Sequence, residues 1–425
     1  MDMIILLVFL LLVLISVPIG LALFLAAVFG FMYFADLPLI MMGQAMFLKL
    51  DKFSLLCVLF FVLAGNLMTR GAIARKIVEF AEALVGHLKS GLPIASITSC
   101  ALFGAVSGSA LATLSAIGGL MVPALRKQKF SNSFSVGLLT SSSILGIIVP
   151  PSIPMIIYCL VADVSIAKLF MAGFLPAIVL VILLSIYAVF RSNKESIGKH
   201  GKFSSRTLWR TFGTGVWALF MPVIIFGGIF SGMFTATEAA VVAAVYAYLV
   251  EFFVYRELSL KEIYRITVDS GLMVATILII TAGSMVMSDY LTIMEIPDRI
   301  TTWITGIVDT KVFYLLIVNI MLLVVGTFME VIAAILIMAP ILLPVAVALG
   351  VDPVHFGIIM CLNLGIGYIT PPVGVNCFLA SGIFKIPVVN VFRYVAPTLI
   401  VLMIALVFIT YIPGISMLLP NYFLG

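Results

Sequence analysis

The chain has 425 residues, 64% of them hydrophobic and only 10% charged, with a mean hydropathy of +1.31 and a formal charge of +5. Many windows longer than about 18 residues carry no charge, which excludes a soluble domain and marks an all-α, polytopic membrane protein. The five cysteines (Cys57, Cys100, Cys159, Cys361 and Cys377) are odd in number, lie in or beside apolar runs and show no Cys-x-x-Cys spacing, which excludes a disulfide framework and a thiolate metal site.

The first run, Met3 to Phe34, follows Asp2 without a basic flank and lacks a small-residue cleavage pattern, so it reads as a membrane segment and not as a signal peptide. It is either one long tilted helix or a pair bent at Ser16-Val17-Pro18-Ile19-Gly20. A short apolar segment over 37–48 and a span over 53–69 follow. Residues 73, 77, 81, 84, 85 and 88 then place an apolar stripe on one face of a helix, either an interfacial helix or a connector dipping into a neighbour's core. Leu92 to Leu125 is charge-free between basic clusters, and a straight helix of that length would measure about 51 Å against a core of about 30 Å. A re-entrant hairpin over 92–125 with its tip at Ser107-Gly108-Ser109 is expected. A broken helix over 133–162 and a span over 168–190 lead to the basic, Ser/Gly-rich segment 191–213, the one linker.

Beyond it, spans are expected over 214–232 and 236–255, a short amphipathic piece over 257–266, and a span over 268–288. An amphipathic segment with Ile300, Trp303, Ile304 and Ile307 on one face comes next. A second hairpin over 312–347 is interrupted only by Glu330, a broken helix covers 354–382, and a last span over 392–412 completes the chain. Of the 23 Lys and Arg, only Lys49, Lys52, Lys168, Arg299 and Lys311 fall outside the clusters 70–89, 126–129, 191–210, 256–265 and 385–393. Placing those clusters in the cytoplasm gives a strong positive-inside bias, so the basic balance needs no nucleic-acid partner.

Two stretches organise this layout: Gly146-Ile147-Ile148-Val149-Pro150-Pro151-Ser152 and Gly367-Tyr368-Ile369-Thr370-Pro371-Pro372-Val373. Proline has no N–H, so each pair stops a helix and removes the donors for the carbonyls of Gly146 and Ile147, and of Gly367 and Tyr368. Unpaired carbonyls in hydrocarbon cost several kcal/mol each, so a cation or a wet cavity is expected beside them. At the same offset of 221, Pro123 matches Pro344 and Pro176 matches Pro397. The flanking charges set the copies in opposite orientations, giving inverted repeats over 1–190 and 214–425 with a binding site near the bilayer midplane.

An oxygen shell for sodium is expected in each repeat. The first draws on Ser107, Ser109, Gly146, Val149 and Pro150; the second draws on Gly326, Thr327, Gly367, Thr370 and Val373. The competing reading of the first is small-residue helix packing with hydroxyls bonded to their own turn. Half-helices starting near Ser152 and Gly374 aim positive ends at the midplane, which suits an anion, with Ser109, Ser152, Glu330 and Asn376 as candidate contacts. Glu330 is either a functional acid or an interface residue with a hydroxyl partner. Thr235-Ala236-Thr237-Glu238 has capping-box spacing, a structural reading set against a transport role. An intramembrane serine protease would need a base beside its serine, yet His87, His200 and His355 all sit at helix ends or in loops, so no enzyme is expected.

With these residues in place, the chain resembles the large membrane subunit of tripartite ATP-independent periplasmic (TRAP) transporters over nearly its whole length. The motifs are Leu63-Ala64-Gly65-Asn66-Leu67-Met68, Ser107-Gly108-Ser109-Ala110, the two Pro-Pro stretches, Thr235-Ala236-Thr237-Glu238-Ala239-Ala240 and Gly374-Val375-Asn376. The resemblance implies an elevator-type, sodium-coupled importer in the bacterial inner membrane. It would work with a small membrane subunit, surrounding lipid and a periplasmic binding protein that delivers an organic acid, and it looks most like the sialic acid branch. Many such proteins carry Asp where Thr113 stands, and often Asp in place of Glu330. A stand-alone sodium/dicarboxylate symporter of the same architecture is the rival, and a passive channel a more distant one. Dependence of uptake on a binding protein separates the first rival, with Asp51, Lys52 and Arg299 as docking candidates.

Overall fold

The structure is a computed structural model that describes residues 2–35, 38–88, 90–194, 204–306 and 310–424. The centre of the predicted linker with His200, and Ile307 of the amphipathic face, lie outside the described residues. Among the described residues all regular structure is helical. Helices α1 (Asp2–Leu14) and α2 (Ile19–Gly30) form the bent pair of the two readings for the first run. Ser16 is left-handed (φ 65°) and Pro18, which cannot donate, opens α2.

Helix α3 (Leu39–Leu50) leads to α4 (Leu55–Arg70), and α5 (Ile73–Val85) leaves α4 at 69°. The elbow is held from the other half of the chain. The buried carboxylate of Glu251 accepts from the Ala72 and Ile73 amides at 2.9 and 3.0 Å, satisfying the orphan donors of the first turn of α5. Arg70 pairs with Asp269 at 2.8 Å. On α5, Ile73, Ile77 and Ala81 are buried against protein neighbours, while Leu84 is 38% exposed.

Helix α6 (Gly91–Ser107) ends at Gly108, whose φ of 60° reverses the chain into a return arm. That arm is α7 (Ala110–Thr113), a π turn over Leu114–Gly118, and α8 (Gly119–Lys127). Then α9 (Asn132–Ser142) and α10 (Leu145–Ile148) precede the first Pro-Pro break, and α11 (Ile153–Ala162) departs at 40°. Helix α12 (Ile166–Lys194) and α13 (Ser205–Phe230) reach further into the segment 191–213 than its loop-like composition suggests.

In the second half, α14 (Ala236–Leu249) opens with the capping box: Glu238 Oε2 accepts from the Thr235 amide at 2.8 Å while Thr235 Oγ1 accepts from the Glu238 amide. The amphipathic piece expected over 257–266 is not separate from the following span. A second capping box, Ser259 with Glu262, starts one continuous helix, α15 (Leu260–Ile293), about 51 Å long. With no proline inside and an in-register cap, nothing stops it, and its charged first turns overrun a core of about 30 Å.

Helix α16 (Ile296–Thr305) is followed by α17 (Lys311–Phe328) and α18 (Val331–Ala348), with Met329 and Glu330 extended between them. Helix α19 (Pro353–Gly367), the second break and α20 (Val375–Phe384) come next, then α21 (Val388–Tyr411). A terminal α22 (Gly414–Phe423) was not anticipated; it packs on α12, and Ser416 Oγ lies 2.6 Å from Nδ1 of the buried His355. Among the described residues, seven helices are long and apolar enough to cross a membrane, or nine if each bent pair counts as one span. All five cysteines are free and buried, as small hydrophobes.

Candidate functional site

At the first break, hairpin tip and broken helix meet backbone to backbone. A Cβ on Gly146 would lie 2.5 Å from Ser109 O, and one on Gly108 would lie 2.7 Å from Pro151 O, so only glycine fits either position. The Ile153 amide donates to Gly108 O at 3.4 Å, and Gly104 faces the Gly146 Cα. Within the tip, Thr113 Oγ1 donates to Ser109 O at 2.8 Å and lies 3.2 Å from Ser107 Oγ. Ser109 caps α7, with Oγ accepting from the Ala112 amide. Ser107, Ser109 and Thr113 thus form a compact group of oxygens against the Gly146 backbone, a donor set that suits a hard cation. Pro150 packs against Gly173 of α12, and Val149 is 8% exposed, its amide bonded to Leu145 O.

The second break repeats the contact with different side chains. A Cβ on Gly367 would lie 2.5 Å from the Gly326 carbonyl carbon, and the Gly374 amide donates to Thr327 O at 3.2 Å. The carbonyls of Gly367 and Tyr368, expected to lack donors, find them: Thr370 N–H donates to Gly367 O, and Asn376 N–H reaches Tyr368 O, each at 3.0 Å. The chain tightens into a three-residue turn and then doubles back, which returns what the prolines withhold. The hydroxyls of Thr327 and Thr370 donate to Val324 O and Ile366 O in their own turns. Val373 is half-buried beside them.

Glu330 caps α18, accepting from the Ile332 and Ala333 amides at 2.8 and 3.1 Å. Tyr368 O–H donates to its other oxygen at 3.0 Å while accepting from the Val331 amide. The acid therefore has a hydroxyl partner, and that partner sits on the broken helix. Of the candidate anion contacts, Ser152 lies beside Gly108, buried, its hydroxyl without a partner among the described residues. Asn376 joins the two halves: its Nδ2 donates to Ser143 Oγ on the first broken helix at 2.9 Å, and its Oδ1 is buried without a partner among the described residues. Glu330 belongs to the second group with Tyr368, and Ser109 to the first. Thr113, Tyr368 and Ser143 were missed as site members. Thr113 stands one helical turn from Ser109, the spacing that could have found it.

The sequence matches the family described as "DctM: Tripartite ATP-independent periplasmic transporter, DctM component" over residues 6–415. The chain belongs to this TRAP large-permease family. It is 38% identical over 424 residues, 96% of each chain, to the C4-dicarboxylate TRAP transporter large permease protein DctM of Rhodobacter capsulatus. It is 36% identical over 383 residues, 90% of each, to the sialic acid TRAP transporter large permease protein SiaM of Vibrio cholerae. Among solved structures, the Alcanivorax borkumensis YdaH transporter shares the fold, with a TM-score of 0.61 at 11% identity over 86% of this chain and 85% of that one. Membership makes the chain a multi-pass inner-membrane permease and not an enzyme. The TRAP family implies a small membrane subunit and a periplasmic binding protein beside it.

Proposed function

We propose that this TRAP permease is the carrier of a sodium-coupled importer for an organic acid anion handed over by a periplasmic binding protein. The observation that carries this reading is the pair of hairpin tips seated on two Pro-Pro breaks, joined through Asn376 and Ser143. Sodium binds the oxygen group of Ser107, Ser109, Thr113 and Gly146, and a second sodium binds at Gly326, Thr327, Gly367 and Thr370. Ordering the tips in this way orients Ser152 and Asn376 for the anion, whose carboxylate also faces the N-terminal ends of α11 and α20. The two hairpins and broken helices move together against the remaining helices in an elevator motion. The sodium gradient supplies the differential affinity that such a shift requires.

The named relatives act on C4-dicarboxylates and on sialic acid, so the carboxylate is the shared chemistry, and sialic acid is one member of the panel to test. Uptake of a labelled panel of organic acids is measured in proteoliposomes holding both membrane subunits, with and without the binding protein and a sodium gradient. Uptake should need both. Uptake without the binding protein would favour a stand-alone symporter, and uptake without sodium would end the coupling claim.

A further inference from the structure

Away from the breaks, a cleft beside the contact of α15 with α18 has two chemically distinct ends. One end is an apolar cavity of about 330 Å³ bounded by Ile5, Phe9, Leu23, Met287, Ile300 and Ile337. The other is a smaller space of about 160 Å³ where Lys52 and Asp163 face the cleft. Ser284, Ser288, Leu336 and Pro340 line both, so the two adjoin. Ser284 is 4% exposed, and its hydroxyl has no partner among the described residues although it borders this space.

The geometry points to a binding site for one phospholipid with a zwitterionic, primary-ammonium headgroup. The apolar end offers a water molecule too few polar partners, whereas a hydrocarbon tail leaves no polar group of its own unsatisfied there. The ester region then meets the Ser284 and Ser288 hydroxyls. At the polar end, Lys52 pairs with the phosphate and Asp163 with the ammonium, an arrangement matched by neither a purely anionic lipid nor a trimethylated one, which has no N–H to donate. This assigns Lys52 to a headgroup in place of a soluble partner. Lys52 also falls outside the basic clusters, so the headgroup lies on the face away from the cytoplasm. Because residues of α1, α2, α15, α16 and α18 all line the space the tail fills, its occupancy biases how the second hairpin sits against them. That effect on uptake rests on the transport reading above; the binding itself does not.

The test uses the complete transporter purified into detergent, native mass spectrometry, and vesicles in which phosphatidylglycerol is mixed with either phosphatidylethanolamine or phosphatidylcholine. One phosphatidylethanolamine should stay bound per large subunit and resist exchange for the other two lipids. Leu336→Trp, which fills the apolar end, should abolish it, and Lys52→Ala and Asp163→Asn should each weaken its retention by roughly fivefold. Uptake of the wild type should differ between the two vesicle types, and that of Leu336→Trp should not. Equal retention of all three lipids, or a tightly bound lipid untouched by Lys52→Ala and Asp163→Asn, would overturn the proposal. Protection of the cleft by the small membrane subunit, seen as cross-linking of a cysteine placed at Leu336 to that subunit, would also overturn it. Bound lipid with no effect on uptake would leave the site standing and remove only its coupling to transport.

Discussion

Around Pro150–Pro151 every residue from 141 to 152 is buried, whereas at the second break Pro371 and Pro372 are exposed and Thr370 and Val373 only half-buried. Both Pro-Pro peptides are cis, and both breaks press a glycine against the backbone of a hairpin tip. What differs is the means of closure. The first copy is held by close backbone approach at Gly104, Gly108 and Gly146, with hydroxyls facing one another; the second adds a carboxylate, Glu330, bonded to Tyr368. One backbone device is therefore set once in a fully buried, hydroxyl-lined environment and once at a more exposed edge with an ionisable partner, which predicts unequal responses to the same kind of substitution.

Glycine removal should have the largest effect and should erase the difference, because it attacks what the copies share. Gly146→Ala and Gly367→Ala each place a methyl 2.5 Å from a backbone atom that cannot rotate away. Each should cost at least about 1–3 kcal/mol by overpacking and reduce uptake to background. Thermal unfolding in detergent and proteoliposome uptake measure both; near-normal uptake by either variant would show that tip and break need not touch.

Next in size is the side-chain closure found only in the second copy. Tyr368→Phe leaves Glu330 Oε1 without its donor and the Val331 amide without its acceptor, at about 1–3 kcal/mol for each unsatisfied group. Glu330→Gln in the same background should give a coupling energy of about 0.5–3 kcal/mol in a double-mutant cycle. Additive effects would mean that the bond closes nothing.

The unequal parts of this comparison were unequally legible in the sequence. Pro150, Pro151, Pro371 and Pro372 announce themselves because a missing N–H is a property of the residue alone. The turn at Gly108 was readable too, since a long charge-free run between basic flanks must reverse somewhere and small residues mark the place. The rescue of the Gly367 and Tyr368 carbonyls by Thr370 and Asn376 was hidden, for it depends on where the backbone goes after the break. The Asn376 to Ser143 bond joins residues 233 apart, and no local pattern reports on such a pairing. The length of α15 is obscured for the opposite reason: the charges of its first turns read as a boundary, although Ser259 and Glu262 already spell a helix start there.

A smaller effect separates the two oxygen groups. Ser107→Ala removes a hydroxyl that faces Thr113, while Thr327→Val removes one already committed to Val324 O in its own turn. The sodium concentration for half-maximal uptake should rise about tenfold for Ser107→Ala, equivalent to about 1.4 kcal/mol, and about threefold for Thr327→Val. Equal shifts would indicate that both groups bind through side chains alike; no shift in either would remove sodium from these positions.

The smallest effect is expected where a hydroxyl does nothing for the fold. Ser152 Oγ is buried and has no partner among the described residues, so Ser152→Ala should leave the melting temperature unchanged or slightly raised. If that hydroxyl is kept for the anion, the same variant should raise the half-saturating substrate concentration by about threefold, roughly 0.6 kcal/mol, at an unaltered sodium requirement. Asn376→Ala is the informative contrast, because its amide already binds Ser143 and its loss should move stability and substrate affinity together. A change in stability without a change in affinity for Ser152→Ala would make Ser152 a packing residue, and the anion would then have to be sought on the Asn376 side of the two breaks.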